Sequence, residues 1–274
     1  LSDIAFSPDG RRIASSRGAV LALLDADTGA TVQRLTLPAP VAAVSFSPDG
    51  RLLAAGLTNG TAMLYAIADG GALLWTTKEL LGDCLDLSFS PDGQWLLHNG
   101  PKSTAVLNAA TGATRLTLSG RIARFSPDSR RAIVSQGNAT AELVNASNGR
   151  LIRGLQLPSG GFSCAAFSPD GLWIATGHND RTVGVWRADT GARLLTLRIP
   201  SSGGVGDIAF SGDGDRLIVV GNDAAHIWSV ANAIGYSACR DGGGGYGLTY
   251  SPDGTQLATA AGDRSSVTTR PPSW

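Results

Sequence analysis

Three histidines, three cysteines and 22 acidic residues against 22 basic ones are the raw material for chemistry in this 274-residue chain. His98, His178 and His226 stand far apart, with no HxH, HExxH or Cys–His spacing, so they supply no zinc set. They are expected at the surface or rim, and a metal site would need loops to converge over a central opening. Cys84, Cys164 and Cys239 are odd in number and widely spaced, which gives neither a disulfide framework nor a CxxC pair. Buried free thiols are the expected state, as in a reducing compartment. Serine is common, yet no GxSxG elbow holds a nucleophile. The stretch SGDGD (211–215) lacks the further ligands and closing Glu of a calcium loop. The glycine run DGGGGYG lacks the GK[ST] ending of a phosphate loop and reads as a slack connection. No pair of carboxylates is singled out for acid–base work. Arg124 is odd, because it stands where equivalent segments carry Ala5, Ser45, Ser88, Ala166, Ala209 and Thr249. A buried arginine there needs a carboxylate or carbonyl partner, unless it lines a binding channel. The expectation is a protein with no catalytic set, cofactor or metal.

What positions these residues is a repeat. FSPDG occupies 6–10 and returns at 46–50, 89–93 and 167–171, with near-copies FSPDS (125–129), FSGDG (210–214) and YSPDG (250–254). The opening aromatics are spaced by 40, 43, 36, 42, 43 and 40 residues. Each unit holds four apolar runs of about six residues, rich in Val, Ile, Leu, Thr and aromatics, which is strand length and composition. The first run ends in the aromatic, as in CLDLSF (84–89), and the later runs include LWIATG, TVGVWR and ARLLTL. No window has convincing helical periodicity; WTTKELLGD (75–83) is at most one turn. A period near 40 is that of four-stranded propeller blades. The fold expected is all-β, a seven-bladed β-propeller of four-stranded antiparallel blades forming one domain over 1–274. Blades start near 1, 41, 84, 120, 162, 205 and 245.

The repeated turn has a physical reading. Pro presets φ at the second position, Asp accepts from nearby backbone N–H groups, and Gly supplies positive φ. Asp9, Asp49, Asp92, Asp170 and Asp253 are therefore structural residues. Ser129 replaces Gly in one copy and Gly212 replaces Pro in another, and those two turns are expected to be the least well specified.

The stretch CAAFSPDGLWIATGHNDRTVGVWRADTG (164–191) resembles the WD-repeat family of seven-bladed propellers, and the similarity spans essentially the whole chain. Trp186 matches the family's Trp at the end of the third strand, and Asp180 its Asp in the preceding turn. Trp228 repeats the Trp in blade six. The WD dipeptide is missing, since Arg187 and Ser229 follow the two tryptophans. The Gly–His pair before the first strand is missing too. The resemblance thus implies a partial bond network of Asp180, Thr176 and Trp186 without its His.

The seventh unit has three strands and then PPSW, and Pro271–Pro272 cannot comfortably continue a ladder. In the family a strand from before the first repeat completes the last blade, whereas Leu1 already lies in the first strand of blade one. The expectation is a segment of a longer protein whose upstream residues supply the strand. An intact native mass near 28.0 kDa would contradict it. A chain with no such strand would instead expose an edge that invites another chain.

The formal net charge of +0 argues against gripping nucleic acid or an anionic membrane. No apolar run is long enough for a transmembrane helix. Turns between second and third strands vary in sequence and share a face with the connections between blades; such loops on a rigid frame carry recognition. The candidates for partner binding are Arg17, Asn59, Lys102, Arg181, Asp223 and Arg264. The expected function is a non-catalytic protein-interaction scaffold or sensor propeller within a larger protein or assembly, binding other proteins on that face. The alternative is a propeller enzyme, or a gate attached to a catalytic domain. A cytoplasmic setting, within a large cytoskeletal or multiprotein assembly, fits the free thiols.

Overall fold

The computed structural model describes residues 3–67, 70–78, 82–120, 123–135, 140–156, 161–222, 224–230, 235–239, 245–250, 256–261 and 264–269, with the backbone alone beyond residue 230. Every regular element among them is a strand. Six sheets have four strands and the last has three, Gly245–Tyr250, Gln256–Ala261 and Arg264–Thr269. Strands pair antiparallel in chain order within each sheet, as short connections require. Blade five is representative: Phe162–Phe167, Trp173–His178, Thr182–Arg187 and Arg193–Arg198.

First strands of successive blades contact one another along the chain, except between blades three and four, where the second strand Trp95–Asn99 meets Ala123–Phe125. Ile4–Phe6 touches both Val41–Phe46 and Gly245–Tyr250, so the first blade neighbours the seventh as well as the second. Second strands are sandwiched between blades and buried on both faces, which is why LLAAGL and WIATGH read as continuous apolar and small residues. Fourth strands face solvent and alternate, as in Arg193–Arg198. The third-to-fourth pairing carries a bulge at Leu23/Leu24, Leu64/Tyr65, Val106/Leu107, Leu143/Val144 and Val185/Trp186, the same place in five blades. A bulge adds twist to the outer strand. In blade six it sits earlier, at Ala225/His226, and the weakly patterned fourth strand there is Gly235–Cys239.

The repeated turn does more than its Asp and Gly suggest. Ser7 Oγ donates to Asp9 Oδ1 at 2.5 Å and accepts the Arg12 amide at 2.9 Å, while the Arg11 amide donates to Asp9 at 3.1 Å. Ser47–Asp49, Ser90–Asp92 and Ser168–Asp170 repeat the pair. The two altered turns, expected to be least well specified, keep the same bonds: Ser126 to Asp128 and Ser211 to Asp213. Serine and aspartate therefore carry the turn, and Pro and Gly assist. Ser129 adopts φ 59° in the glycine's place, and its hydroxyl accepts the Asp92 amide of the neighbouring blade at 3.0 Å. That bond offsets the strain of the left-handed conformation. Asp253 lies outside the described residues.

Candidate functional site

The turns between second and third strands do share a face with the inter-blade connections. Val41 N–H donates to Gly18 O at 2.8 Å and Thr58 N–H to Pro40 O at 2.9 Å, tying the first connection between two such turns. Arg17, Asn59 and Lys102 are exposed there. Asn59 Oδ1 accepts the Thr61 amide at 3.1 Å, so its side chain also shapes its own turn. Arg181 adopts φ 72°, where the matching residue of blade two is Gly60 at φ 80°. Its guanidinium donates to Ser201 O at 3.4 Å, and its carbonyl accepts the Ile199 amide. Arg264 begins the last strand, in backbone only, and Asp223 lies outside the described residues.

Blade five corrects the expectation of a network without histidine. Trp186 Nε1–H donates to Thr176 Oγ1 at 2.9 Å, and Thr176 Oγ1 lies 3.1 Å from His178 Nε2. His178 comes from the end of the second strand, not from before the first, yet reaches the same hydroxyl. Asp180 accepts the Thr182 hydroxyl at 2.5 Å and its amide at 3.0 Å. Desolvation raises the Asp180 carboxyl, but those two bonds outweigh it and hold it below its usual range. Gly184 is required here, since a Cβ would stand 2.7 Å from Trp186 Nε1. Blade six has no such bond: Val219 takes the position of Thr176, and Trp228 Nε1 is buried without an acceptor.

The sequence-based expectation of surface or rim histidines is corrected by the structure: His98, His178 and His226 are all buried. His98 and His178 stand on second strands and His226 on a third strand. Burial pushes His98 and His178 below the ordinary histidine range. Cys84 and Cys164 are buried free thiols, and burial pushes Cys164 up to about 12.

Arg124 is only partly buried, and it has the carboxylate partner expected for it. It is ion-paired with Asp86 of blade three, each side chain being about a third exposed (31% and 30%). Desolvation pulls its pKa down, but the Asp86 and Asp207 carboxylates outweigh that and raise it. Asn99, fully buried, completes the junction: its Nδ2 donates to Asp86 at 2.9 Å and to Ala123 O at 3.2 Å. Its Oδ1 accepts Thr104 Oγ1 at 2.8 Å and the Ala123 amide at 3.0 Å.

Sequence reasoning passed over a set of inner-strand carboxylates. Asp3, Asp86 and Asp207 each stand three residues before their blade's aromatic, where other blades have Ala43 and Cys164. That spacing was the available signal. Among the described residues no group of three or more His, Cys, Asp or Glu side chains has a metal-holding arrangement.

The family model of the WD domain, G-beta repeat, matches residues 31–65 and 149–187. No curated protein matches the chain.

Proposed function

We propose that this chain, which carries WD-type repeats in blades one to two and four to five, is a protein-interaction scaffold or sensor propeller within a larger protein or multiprotein assembly. WD40 repeats generally mediate protein–protein interaction, and such domains are typically non-catalytic. The observation that carries the reading is a contrast between faces. The Ser–Asp turns are built alike in six blades, while the opposite turns differ in sequence, length and charge.

Arg181 supports this choice of face. A left-handed non-glycine residue costs on the order of 1 kcal/mol, and blade two avoids that cost with Gly60. A long, partly exposed cationic side chain there, held by Ser201 O, fits a contact with an acidic or arginine-matching peptide. The buried thiols support a cytoplasmic setting. The test is purification of the tagged native protein with mass spectrometry of what it retains, followed by affinity measurement with the purified partner. Reversal of charge in the double variant Arg181→Glu/Arg264→Glu is expected to weaken that partner by roughly tenfold or more. Unchanged affinity for every retained partner would remove the assignment of this face.

A further inference from the structure

The outer strand of blade four departs from its counterparts in ways that the chain's own packing does not require. Leu151–Gln156 ends its sheet, and among the described residues no strand pairs with its outer edge. At its start Leu151 and Ile152 are 60% and 43% exposed. Gly154 follows, exposed, across from Glu142 of the third strand. At the same register the outer strands of blades one, two, three and five carry Arg34, Thr76, Thr117 and Thr196. The backbone of Gly154 is not left-handed, and an added Cβ would meet nothing within 4 Å. Neither conformation nor space within this chain requires a glycine there, and glycine weakens a strand. An open glycine on an edge strand lets another backbone or a large side chain come close. We propose that Leu151–Gln156 is a docking edge for an extended segment of a partner protein, one that alternates apolar with acidic side chains.

Charge and alternation select that partner. The outer strands Thr31–Thr36, Ala72–Thr76, Thr114–Ser119, Leu151–Gln156 and Arg193–Arg198 have arginine as their only charged residue type. In blade four Arg150 and Arg153 are both exposed, and neither has a carboxylate partner among the described residues. Glu142 is partly buried and engaged within the chain. Successive strand residues point to opposite faces. Arg153 lies over the outer turn of blade five, where an added Cβ at Gly191 would stand 2.7 Å from its Cγ. Asp189 in that turn is held by Arg187. Ile152 and Gly154 take the other face. A segment added along the free edge therefore sets its apolar side chains beside Ile152 and Gly154 and its carboxylates beside Arg153. Backbone hydrogen bonds to the edge supply the part of the affinity that any sequence shares. Blade two marks the contrast. It too exposes Leu73 and Leu74, but it has Thr76 where blade four has Gly154, and its outer strand has no arginine.

This edge is separate from the face that carries Arg181, so the two assignments can fail independently. The probe is a short capped peptide alternating glutamate with valine and phenylalanine, titrated calorimetrically into the full chain at low ionic strength. Its counterpart with lysine in place of glutamate is the control. The glutamate peptide is expected to bind roughly tenfold more tightly than the lysine peptide. Amide exchange is expected to slow within Leu151–Gln156. Arg153→Glu should reverse the preference between the two peptides. Gly154→Thr should keep or raise thermal stability, yet weaken the glutamate peptide by roughly fivefold or more. Arg181→Glu/Arg264→Glu should leave its affinity unchanged. The proposal is overturned if neither peptide binds, if both bind alike, if protection appears elsewhere, or if Gly154→Thr binds as the wild type does. Self-association of the free chain through Leu151–Gln156, read by sedimentation and amide exchange, would make a second copy the occupant and overturn it as well.

Discussion

Blades three and five hold a polar group at nearly the same depth and satisfy it differently. In blade five the hydroxyl of Thr176 serves Trp186 and His178, all within one blade. In blade three the Asn99 amide binds Asp86 and Thr104 in its own blade and Ala123 in the next, beside the Asp86–Arg124 pair. One network fixes a blade internally, the other fixes one blade against another. The seam next to each shows why. Gly177 leaves room for Cys164 and for Val205 of blade six, whose nearest side-chain atoms would be 2.5 and 2.6 Å from an added Cβ. Gly56 leaves the same room for Cys84, at 2.3 Å. In blade three Asn99 fills the glycine's place, and its amide bonds to Ala123 take the part that the close thiol contact plays at the other seams. Gly120 of blade four answers to another neighbour, since an added Cβ would stand 2.1 Å from Ser135 O. The seams are thus close-packed, and each fills its space in its own way.

That comparison can be broken most strongly at Asp86. Asp86→Ala removes the partly exposed ion pair of Arg124, leaving it the more distant influence of Asp207, and also a hydrogen bond of buried Asn99; a combined loss of about 3 kcal/mol in urea-unfolding stability is expected. Asn99→Ala should follow, at about 2–3 kcal/mol, because four hydrogen bonds lose their shared partner. Gly56→Ala should cost about 1–3 kcal/mol through overpacking against the Cys84 thiol. The double variant Gly56→Ala/Cys84→Ala should recover part of that loss, since the two residues share one space; equal costs with and without the thiol would show that the seam is not the cause. Thr176→Val leaves the Trp186 N–H unpaired, and about 1–2 kcal/mol is expected. Blade six, with Val219 and Trp228, already tolerates the same arrangement.

The smallest effect belongs to His98, whose two ring nitrogens are buried without partners. His98→Leu is expected to be neutral or slightly stabilising at neutral pH. Because burial lowers the His98 pKa, the folded state binds that proton less tightly than the unfolded chain does. Stability therefore drops as pH falls below the ordinary histidine range, and the variant should lessen that drop in pH-dependent unfolding.

Much of the frame was legible from local chemistry. Seven aromatic–Ser–Asp turns at near-constant spacing fix where strands begin, and strand order follows because short turns allow only neighbouring antiparallel pairs. The last sheet has the three strands expected of it. The need of Arg124 for a carboxylate was also readable, since a guanidinium cannot be withdrawn from water alone. Its partner was not, because Asp86 lies 38 residues earlier and meets it only when blades stack. The histidines were misjudged for the same reason. Placement at a strand end suggests exposure, and only the adjacent blade shows that the end is covered.

The sequence by itself determined the turns, the strands and their order, because each depends on residues within a few positions of one another. The tertiary structure alone decided which glycine faces which thiol, that His178 reaches Thr176, and that Asp3 meets the Val44 amide under the influence of Asp86 and Asp207. Val44 lies 41 residues from Asp3, and Cys84 belongs to the blade after that of Gly56, whereas His178 and Thr176 stand two residues apart on one strand and meet through the packing of their side chains; no local pattern encodes these contacts.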